Sequence, residues 1–449
     1  MAEQDNESIG ASNSAPYGGL VPPAMVARDE WLSCLPTDWN IVLVKHLFAF
    51  NEKGRGNDSE VILSLTQRGV LERDVSSNDG QLAESYENYP QVVEGDFILN
   101  PMDLVAGWVA RTTISGKVSG AYYSFHISDY ERADDRFFEY LFQTYYRERI
   151  FDPFGSGLGR MESGGGRWTL GRDVLMNFPI PLPPIGVQRI AAAFLEKETS
   201  QIDALISKKE QLIEKLMERR QALITQVVTK GLDPHTPMKD SGVEWLGEIP
   251  SGWKIKRVSH VARRSNAKAR DLPVVTAFRD GQVTLRANRR TDGFTEATEF
   301  HGYQRIQVGQ VAVHRMDAFA GAIGVSDSDG MCSPVLTLLN CSSQVRPEYL
   351  ALFLREVSKS GWIEALAKSV RERTSEFGWS ELSSQLVALP GLAEQKQITV
   401  YLDNETSQID ILVEKSRKAI ELLKERRQAL ITQVVTGKID VRGFADGNS

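Results

Sequence analysis

The sequence predicts an α+β protein in which two mixed α/β domains are separated by two long antiparallel coiled-coil helices, with a pseudo-two-fold internal repeat. Three observations predict this fold class. The chain of 449 residues is too long for one compact core, a helical segment occurs twice, and a different variable segment precedes each copy. A hydrophobic content of 41% and a charged content of 25% are typical of globular proteins.

The helical repeat is the strongest signal in the sequence. Residues 198–203 (ETSQID) recur as 405–410, and residues 218–229 (ERRQALITQVVT) recur unchanged as 425–436. Both pairs lie 207 positions apart, so no insertion or deletion separates them. Nearly identical helices imply identical tasks for the two copies.

Each copy predicts one long helix. The segment 188–229 contains no proline or glycine, whereas prolines precede it and Gly231 follows it. At 1.5 Å per residue, the segment would span about 63 Å. Apolar residues at steps of three and four, interrupted by Lys209 and Arg220, predict a coiled-coil seam in which the other copy is the partner. The seam residues are Ile202, Ile206, Ile213, Leu216, Leu223 and Val227 in the first copy, and Ile409, Val413, Ile420, Leu423, Leu430 and Val434 in the second. A homodimerising coiled coil is the alternative.

A weaker repeat relates the two variable segments. Residues 31–39 match 245–253 through Trp-Leu, Pro and Trp, 214 positions apart, and 139–141 (EYL) match 348–350 at 209 positions. The predicted segments are a flexible tail (1–27), a first variable domain (28–185), a central helix (186–230), a linker (231–244), a second variable domain (245–391), a C-terminal helix (392–437) and a tail (438–449).

Charge and cysteine content exclude several classes of protein. The net charge is −7, but eleven lysines and arginines stand against two aspartates between Lys254 and Arg290, which is typical of a phosphate-binding patch. The three cysteines form no CxxC pair, which argues against a disulfide framework and a zinc site. We find no apolar run of about 18 residues and no secretory signal, and we expect a cytoplasmic protein with no membrane contact.

Three features together resemble the specificity subunit of Type I restriction–modification systems. They are the helical repeat, the segment KDSGVEWLGEIPSGW at 239–253, and EQKQI at 394–398. The resemblance covers about residues 22–440, although 22–30 lack the KDSG lead that precedes Trp245.

The resemblance implies a non-catalytic subunit that binds double-stranded DNA. Each variable domain would be a target-recognition domain for one half of a bipartite asymmetric target, and the helices would set the spacer. The partners would be two DNA-methyltransferase subunits and, optionally, two ATP-dependent restriction subunits. The resemblance also implies that S-adenosylmethionine, ATP and Mg²⁺ are used by those partners, with no cofactor in this chain.

We predict DNA contacts from residue chemistry. In the glycine-rich segment 154–168, glycines allow close backbone approach and arginines reach phosphate or guanine. The candidates are Ser156, Arg160 and Arg167 in the first domain, and Arg263, Arg264, Arg289, Arg290, Arg371 and Arg373 in the second. Each arginine could instead be an ordinary surface charge. In the repeated helical block, Arg219, Gln226, Arg426 and Gln433 are predicted to dock partner subunits.

Two other functions remain open from the residues alone. A coiled-coil scaffold between two protein-binding domains predicts no DNA binding. An autonomous methyltransferase is suggested by DPFGSG at 152–157, which is similar to an S-adenosylmethionine loop, and by NPMD at 100–103, which faintly resembles the catalytic turn. That turn lacks its aromatic residue, and too few residues separate the two segments for a doubly wound cofactor sheet.

Overall fold

The structure is a computed structural model. It describes residues 35–51, 61–75, 86–102, 104, 107–157, 168–269, 271–289, 302–361, 368–369 and 375–444. The chain divides into two compact units, Met1–Lys208 with Ala419–Ser449, and Lys209–Lys418. Each unit therefore combines one variable domain with parts of both long helices.

The first unit contains short strands, two short helices and the start of a long helix. Its elements are β1 (Asn40–Leu43), β2 (Phe48–Phe50), β3 (Leu63–Thr66), β4 (Gly69–Glu72), β5 (Gln91–Val92), β6 (Phe97–Leu99), β7 (Val109–Arg111), β8 (Gly116–Lys117), β9 (Tyr123–Ile127), α1 (Asp135–Arg147), α2 (Arg172–Met176), β10 (Pro179–Leu182) and the beginning of α3 (Ile185–Lys230).

The second variable domain follows α3 with a similar order of elements. They are β11 (Met238–Asp240), β12 (Glu248–Pro250), β13 (Lys254–Arg257), α4 (Val258–Val261), β14 (Ala262–Ser265), β15 (Val275–Ala277), β16 (Val283–Leu285), β17 (Gln304–Ile306), β18 (Val311–His314), β19 (Ile323–Val325), β20 (Gly330–Cys332), β21 (Leu336–Cys341), α5 (Pro347–Lys359), β22 (Lys368–Ser369), β23 (Ser375–Glu376), α6 (Trp379–Ser384), β24 (Leu386–Leu389) and the long α7 (Leu392–Val435).

Both variable domains contain a four-stranded antiparallel sheet of the same topology. The strand order is β2-β9-β6-β7 in the first domain and β14-β21-β18-β19 in the second. Phe50 pairs with Phe125, and Arg264 pairs with Leu339, so the register is the same with every position shifted by 214. The sheets therefore have the same 214-position shift as the sequence match between 31–39 and 245–253, and the mixed α/β character of both domains is confirmed.

The cores of the two domains are filled by different side chains on this common frame. The first core is aromatic, with Phe48 packed edge-to-face against Phe97, Phe125 and Phe142 at centroid distances of 5.4 to 5.7 Å. At the corresponding sheet positions the second core has smaller residues, such as buried Val311 and Leu339. Protein cores are close-packed, so a change in the volume of one side chain must be matched by its neighbours. The two domains therefore diverged through coordinated changes of their core residues.

The two long helices pack against each other in antiparallel directions within each unit. In the first unit, Asp203 of α3 accepts two hydrogen bonds from Arg427 of α7, at 2.9 and 3.2 Å, while Ala191 lies beside Val434. In the second unit, Arg220 makes the equivalent pair with Asp410, at 3.0 and 3.2 Å. The predicted seam is only partly buried. Ile202 and Ile409 are buried, whereas Leu216 and Leu223 are half-buried.

Each variable domain rests on the end of a long helix through its Pro-x-x-Trp segment. After α7, Gly437 has φ +71°, and a Cβ there would lie 2.4 Å from Pro36 and 3.2 Å from Trp39. After α3, Gly231 has φ +81° and lies against Trp253 and Pro250. The left-handed backbone favours glycine at both positions, and at Gly437 the close approach of Pro36 excludes any larger residue.

The sequence match between 139–141 and 348–350 is not the structural correspondence and was wrong. Trp39 packs on Phe137, with ring centroids 6.2 Å apart, whereas Trp253 packs on Tyr349 at 6.5 Å. Phe137 therefore occupies the place of Tyr349, which is a shift of 212 positions. The three-residue match misaligned the helices because the buried positions, rather than a short identity in sequence, decide which turn faces the core.

Candidate nucleic-acid interface

Arg263 and Arg264 lie on the terminal strand of the second domain's sheet. In β14, Arg263 is opposite Asn340 and Arg264 is opposite buried Leu339. Because neighbouring residues of a strand point to opposite faces, the two guanidinium groups leave the strand in different directions. Both arginines are exposed, and Asn340 accepts a hydrogen bond of 2.6 Å from Gln310. Arg263 thus lies on a polar face with amide side chains, which are chemically suited to base edges.

Arg289 is exposed but already has partners within its own domain. Its guanidinium forms an ion pair of 2.6 Å with Asp280 and lies 4.4 Å from the ring centroid of Phe278. These contacts fix the side chain beside the turn between β15 and β16. Arg289 could reach a phosphate only by sharing or exchanging its contact with Asp280, so it is a weaker candidate than Arg263 or Arg264.

Ser156 lies at the base of the glycine-rich segment in the first domain. Its backbone pairs with Thr169 in both directions, at 2.8 and 2.9 Å, and its side chain is exposed. Trp168 donates its indole N–H to the carbonyl of Asp152 at 2.8 Å, and a Cβ on Gly155 would lie 2.3 Å from that nitrogen. The contacts hold both ends of the segment together, and they require glycine at 155.

Five predicted DNA contacts fall outside the described residues. They are Arg160, Arg167, Arg290, Arg371 and Arg373. The described residues therefore include four of the predicted contacts, Ser156, Arg263, Arg264 and Arg289.

Arg172 is a candidate that reasoning from the sequence missed. Its guanidinium lies 4.3 Å from the ring centroid of Phe50 and 5.3 Å from that of Tyr123, whose hydroxyl donates to the carbonyl of Leu170 at 3.0 Å. In the second domain, Arg264 stands at the position of Phe50, 214 residues on, and Trp379 at the position of Arg172, 207 residues on. Each domain thus has one arginine and one aromatic residue at these positions, with the identities exchanged. Extending the two repeat offsets through the variable domains would have revealed the pair.

The candidate docking residues lie on the exposed side of the long helices. Arg219 and Gln226 are exposed, as are Arg426 and Gln433. Other residues of the same repeated block face inward, because Arg220 pairs with Asp410 and Ile224 and Val228 are buried. Internal contacts therefore explain why the inward residues of the block are identical in the two copies, but they do not explain the identity of its outward residues.

The other reactive side chains have ordinary structural environments. Burial raises the pKa of the Cys332 and Cys341 thiols to about 12, so neither is a thiolate near neutral pH. Among the described residues, no group of three or more His, Cys, Asp or Glu side chains could hold a metal ion. Within the same ranges, no helix has the length and apolarity required to span a bilayer.

Comparison with known protein sequences identifies specificity subunits. No protein-family profile matches the chain. The Type I restriction enzyme EcoBI specificity subunit of Escherichia coli is 20% identical over 447 residues, covering 93% of this chain and 88% of that protein. The StySPI specificity subunit of Salmonella potsdam is 19% identical over 277 residues, covering 60% and 59% respectively.

Solved structures of the same class share the fold. A chain from a structure described as the basis of complex assembly and conformational transition of the type I R-M system aligns with a TM-score of 0.61 and 17% identity, over 90% of this chain and 99% of that chain. The HsdS subunit from Thermoanaerobacter tengcongensis aligns with a TM-score of 0.52 and 15% identity, over 90% and 98%. The chain thus has the architecture of two variable domains on a pair of long helices. Its resemblance to Type I restriction–modification specificity subunits is confirmed.

Proposed function

We propose that this chain is the DNA-specificity subunit of a Type I restriction–modification complex. Each target-recognition domain, 28–185 and 245–391, reads one half of a bipartite, asymmetric double-stranded DNA target. The helices 186–230 and 392–437 set the spacer between the half-sites.

One observation carries the proposal. The same sheet, with the same register, occurs twice with different cores and different surface residues, on helices whose contacts are equivalent. Two recognition surfaces of one ancestry on a common frame suit two half-sites about one helical turn of DNA apart, ~34 Å. Divergence of the surfaces supports an asymmetric target, because identical surfaces would favour a palindrome.

The helices also dock the methyltransferase subunits. Exposed Arg219 and Gln226 have identical, exposed counterparts in Arg426 and Gln433. Two identical exposed patches suit two copies of one partner. We propose two methyltransferase subunits at these patches and, optionally, two ATP-dependent restriction subunits in the assembled complex.

Catalysis belongs to the partners in this proposal. The chain binds no cofactor, while S-adenosylmethionine serves the methyltransferase, and ATP and Mg²⁺ serve the restriction subunits. The complex acts in the cytoplasm, where its DNA substrate lies. Ser156, Arg263, Arg264 and Arg289 contact DNA, together with the five predicted arginines outside the described residues.

The test is a map of modified bases. The chain is co-expressed with the methyltransferase encoded beside it, in a host that lacks DNA methylation, and modified bases are located across the genome. We expect a split motif with two specific parts around a fixed, unspecified gap. A matched culture without this chain should lose that motif.

Two rival functions predict different results, one in the same map and one in a binding measurement. Methylation by the partner alone, unchanged when this chain is omitted, would contradict the specificity role and favour a scaffold. Binding of S-adenosylmethionine by the isolated chain, measured by calorimetry, would favour an autonomous methyltransferase.

A further inference from the structure

The helix α1 of the first domain and α5 of the second are each attached to the long helices at their N-terminal ends by a buried glutamine. Gln188 donates to the carbonyls of Arg132 and Pro183, both at 2.8 Å, and accepts the backbone N–H of Asp134 at 2.8 Å. Gln188 is fully buried, so each of these polar groups depends on the others for a partner.

The second domain has the same attachment with different neighbours. Gln395 donates to the carbonyls of Gln344 and Pro390, at 3.1 and 3.0 Å, and accepts the backbone N–H of Arg346 at 2.8 Å. Gln395 is also fully buried. The two glutamines lie 207 positions apart, in the repeat, although the loops that they hold differ in sequence.

The C-terminal end of α5 is attached by the repeated block of the central helix. The amide of Gln221 donates to both carboxylate oxygens of Glu356, at 3.2 and 3.0 Å, and the hydroxyl of Thr225 donates to the same carboxylate. Lys359 donates to the Gln221 side-chain oxygen and forms an ion pair of 3.2 Å with Glu356. Glu356 is only 4% exposed, and a buried carboxylate requires these donors.

The C-terminal end of α1 has an equivalent but looser attachment to α7. Gln428 donates to Glu148 at 3.5 Å, and Thr432 donates to the same carboxylate at 3.2 Å. Arg147 donates to the Gln428 side-chain oxygen, as Lys359 does to Gln221. Glu148 follows α1 and is exposed, whereas Glu356 lies within α5. The same network is thus built from glutamates at different positions of the two helices.

Each domain helix is therefore attached to both long helices. The first domain is attached to α3 through Gln188 and to α7 through Gln428 and Thr432. The second is attached to α7 through Gln395 and to α3 through Gln221 and Thr225. The apolar cores already hold each domain on the long helices. The glutamine and the carboxylate network add polar contacts at the two ends of the domain helix, and these contacts restrict its tilt.

We propose that the carboxylate clamps, Glu356 with Gln221 and Thr225, and Glu148 with Gln428 and Thr432, are positioning elements that enforce the length of the DNA spacer. The inference rests on the proposed specificity role. A gap changed by one base pair rotates one half-site by about 35° relative to the other, because B-DNA has 10–10.5 base pairs per turn. A domain that has lost its clamp can tilt further on the helices and accepts such a site more often, whereas a clamped domain rejects it. The clamps therefore govern the gap, while the bases read by each domain are unaffected.

The experiment maps methylation by the assembled complex with the Glu356→Ala chain. We expect the wild-type half-site sequences, with methylation at sites one base pair longer or shorter raised roughly tenfold over the wild-type level, a change of 1.4 kcal/mol. The milder Gln221→Ala and Thr225→Val variants remove single donors from a helix surface and should relax the gap to a smaller extent. Glu148→Ala should act in the same direction with a smaller effect than Glu356→Ala, because its clamp is exposed.

A matched control is Glu414→Ala, which removes a carboxylate that pairs with Lys418 on the surface of α7, at 3.7 Å and with both side chains more than half exposed. It should leave the gap fixed. A fixed gap in Glu356→Ala, Gln221→Ala and Thr225→Val alike would overturn the inference, as would altered half-site bases at an unchanged gap. If the wild-type complex itself yields no split motif, the proposed function fails, which is distinguishable from failure of the clamps alone.

Discussion

At the scale of single residues, the positive charge of the candidate DNA surface can be read from the sequence, but the contacts of its arginines cannot. Arg263 and Arg264 were predicted from a local excess of positive charge, and both are exposed on β14. Arg289 came from the same charge pattern, yet it pairs with Asp280. Arg172 was missed because the rings that its guanidinium contacts, those of Phe50 and Tyr123, lie far from it in sequence.

The two arginines of β14 should contribute separately to phosphate binding. We expect Arg263→Ala and Arg264→Ala each to weaken DNA binding by the assembled complex and to reduce the slope of log K against log salt by about 0.9 per lost phosphate contact. Fluorescence anisotropy of a labelled duplex at several salt concentrations measures both effects. Lys418→Ala, on the surface of α7, is the control and should leave the slope unchanged. An unaltered slope in both arginine variants would show that β14 does not face the phosphates.

At the scale of elements, buried apolar side chains of the long helices contribute more stability than the ion pairs between the helices. Ile431 of α7 is 2% exposed in the first core, and Ile224 of α3 is 6% exposed in the second. Asp203 and Arg427 make two good hydrogen bonds, but the aspartate side chain is 52% exposed. Solvent screening weakens the attraction within such a pair, so the pair contributes little to stability. A buried isoleucine that is shortened leaves a cavity, which lowers stability.

Shortening the buried isoleucines should therefore lower the free energy of unfolding far more than loss of the ion pair does. We expect Ile431→Ala and Ile224→Ala each to lower the free energy of unfolding by about 2–4 kcal/mol. A double-mutant cycle of Asp203→Ala and Arg427→Ala should give a coupling energy below about 1 kcal/mol. Urea unfolding measures both, with Leu422→Ala, at a position 65% exposed, as the near-neutral control. The reverse order of magnitudes would show that the ion pairs contribute more stability than these isoleucines.

At the scale of the whole molecule, compact units do not coincide with contiguous segments of sequence. The first unit includes Ala419–Ser449 in addition to Met1–Lys208. Its core contains Ile431, Val434 and Val435 from α7 and Val441 beyond it. Phe444 also packs on Phe194 at the start of α3, with ring centroids 5.1 Å apart. The end of the chain therefore completes the core of the N-terminal domain.

A chain that ends at Lys418 should lose stability in the first domain rather than the second. Truncation removes four buried apolar residues from the first core, whereas the second unit, Lys209–Lys418, keeps all of its residues. We expect limited proteolysis to cleave within 35–184 at least tenfold faster than in the full chain, with cleavage within 245–391 unchanged. Addition of a peptide of residues 419–449 should restore part of the protection. Equal protection of both domains would show that the first domain is stable without the C-terminal helix.

The sequence by itself determined the doubling of the molecule, the two long helices and the mixed character of the variable domains. Helix propensity, three- and four-residue periodicity and exact repetition are local properties, so they can be read without knowledge of the packing. Only the tertiary structure decided what the repeated residues contact. Gln428 meets Glu148, and Gln221 meets Glu356, across separations of 280 and 135 residues. Such pairs depend on how entire elements pack. The helix match at 209 positions therefore failed, whereas the shift of 214 positions between 31–39 and 245–253 is also the shift between the two sheets.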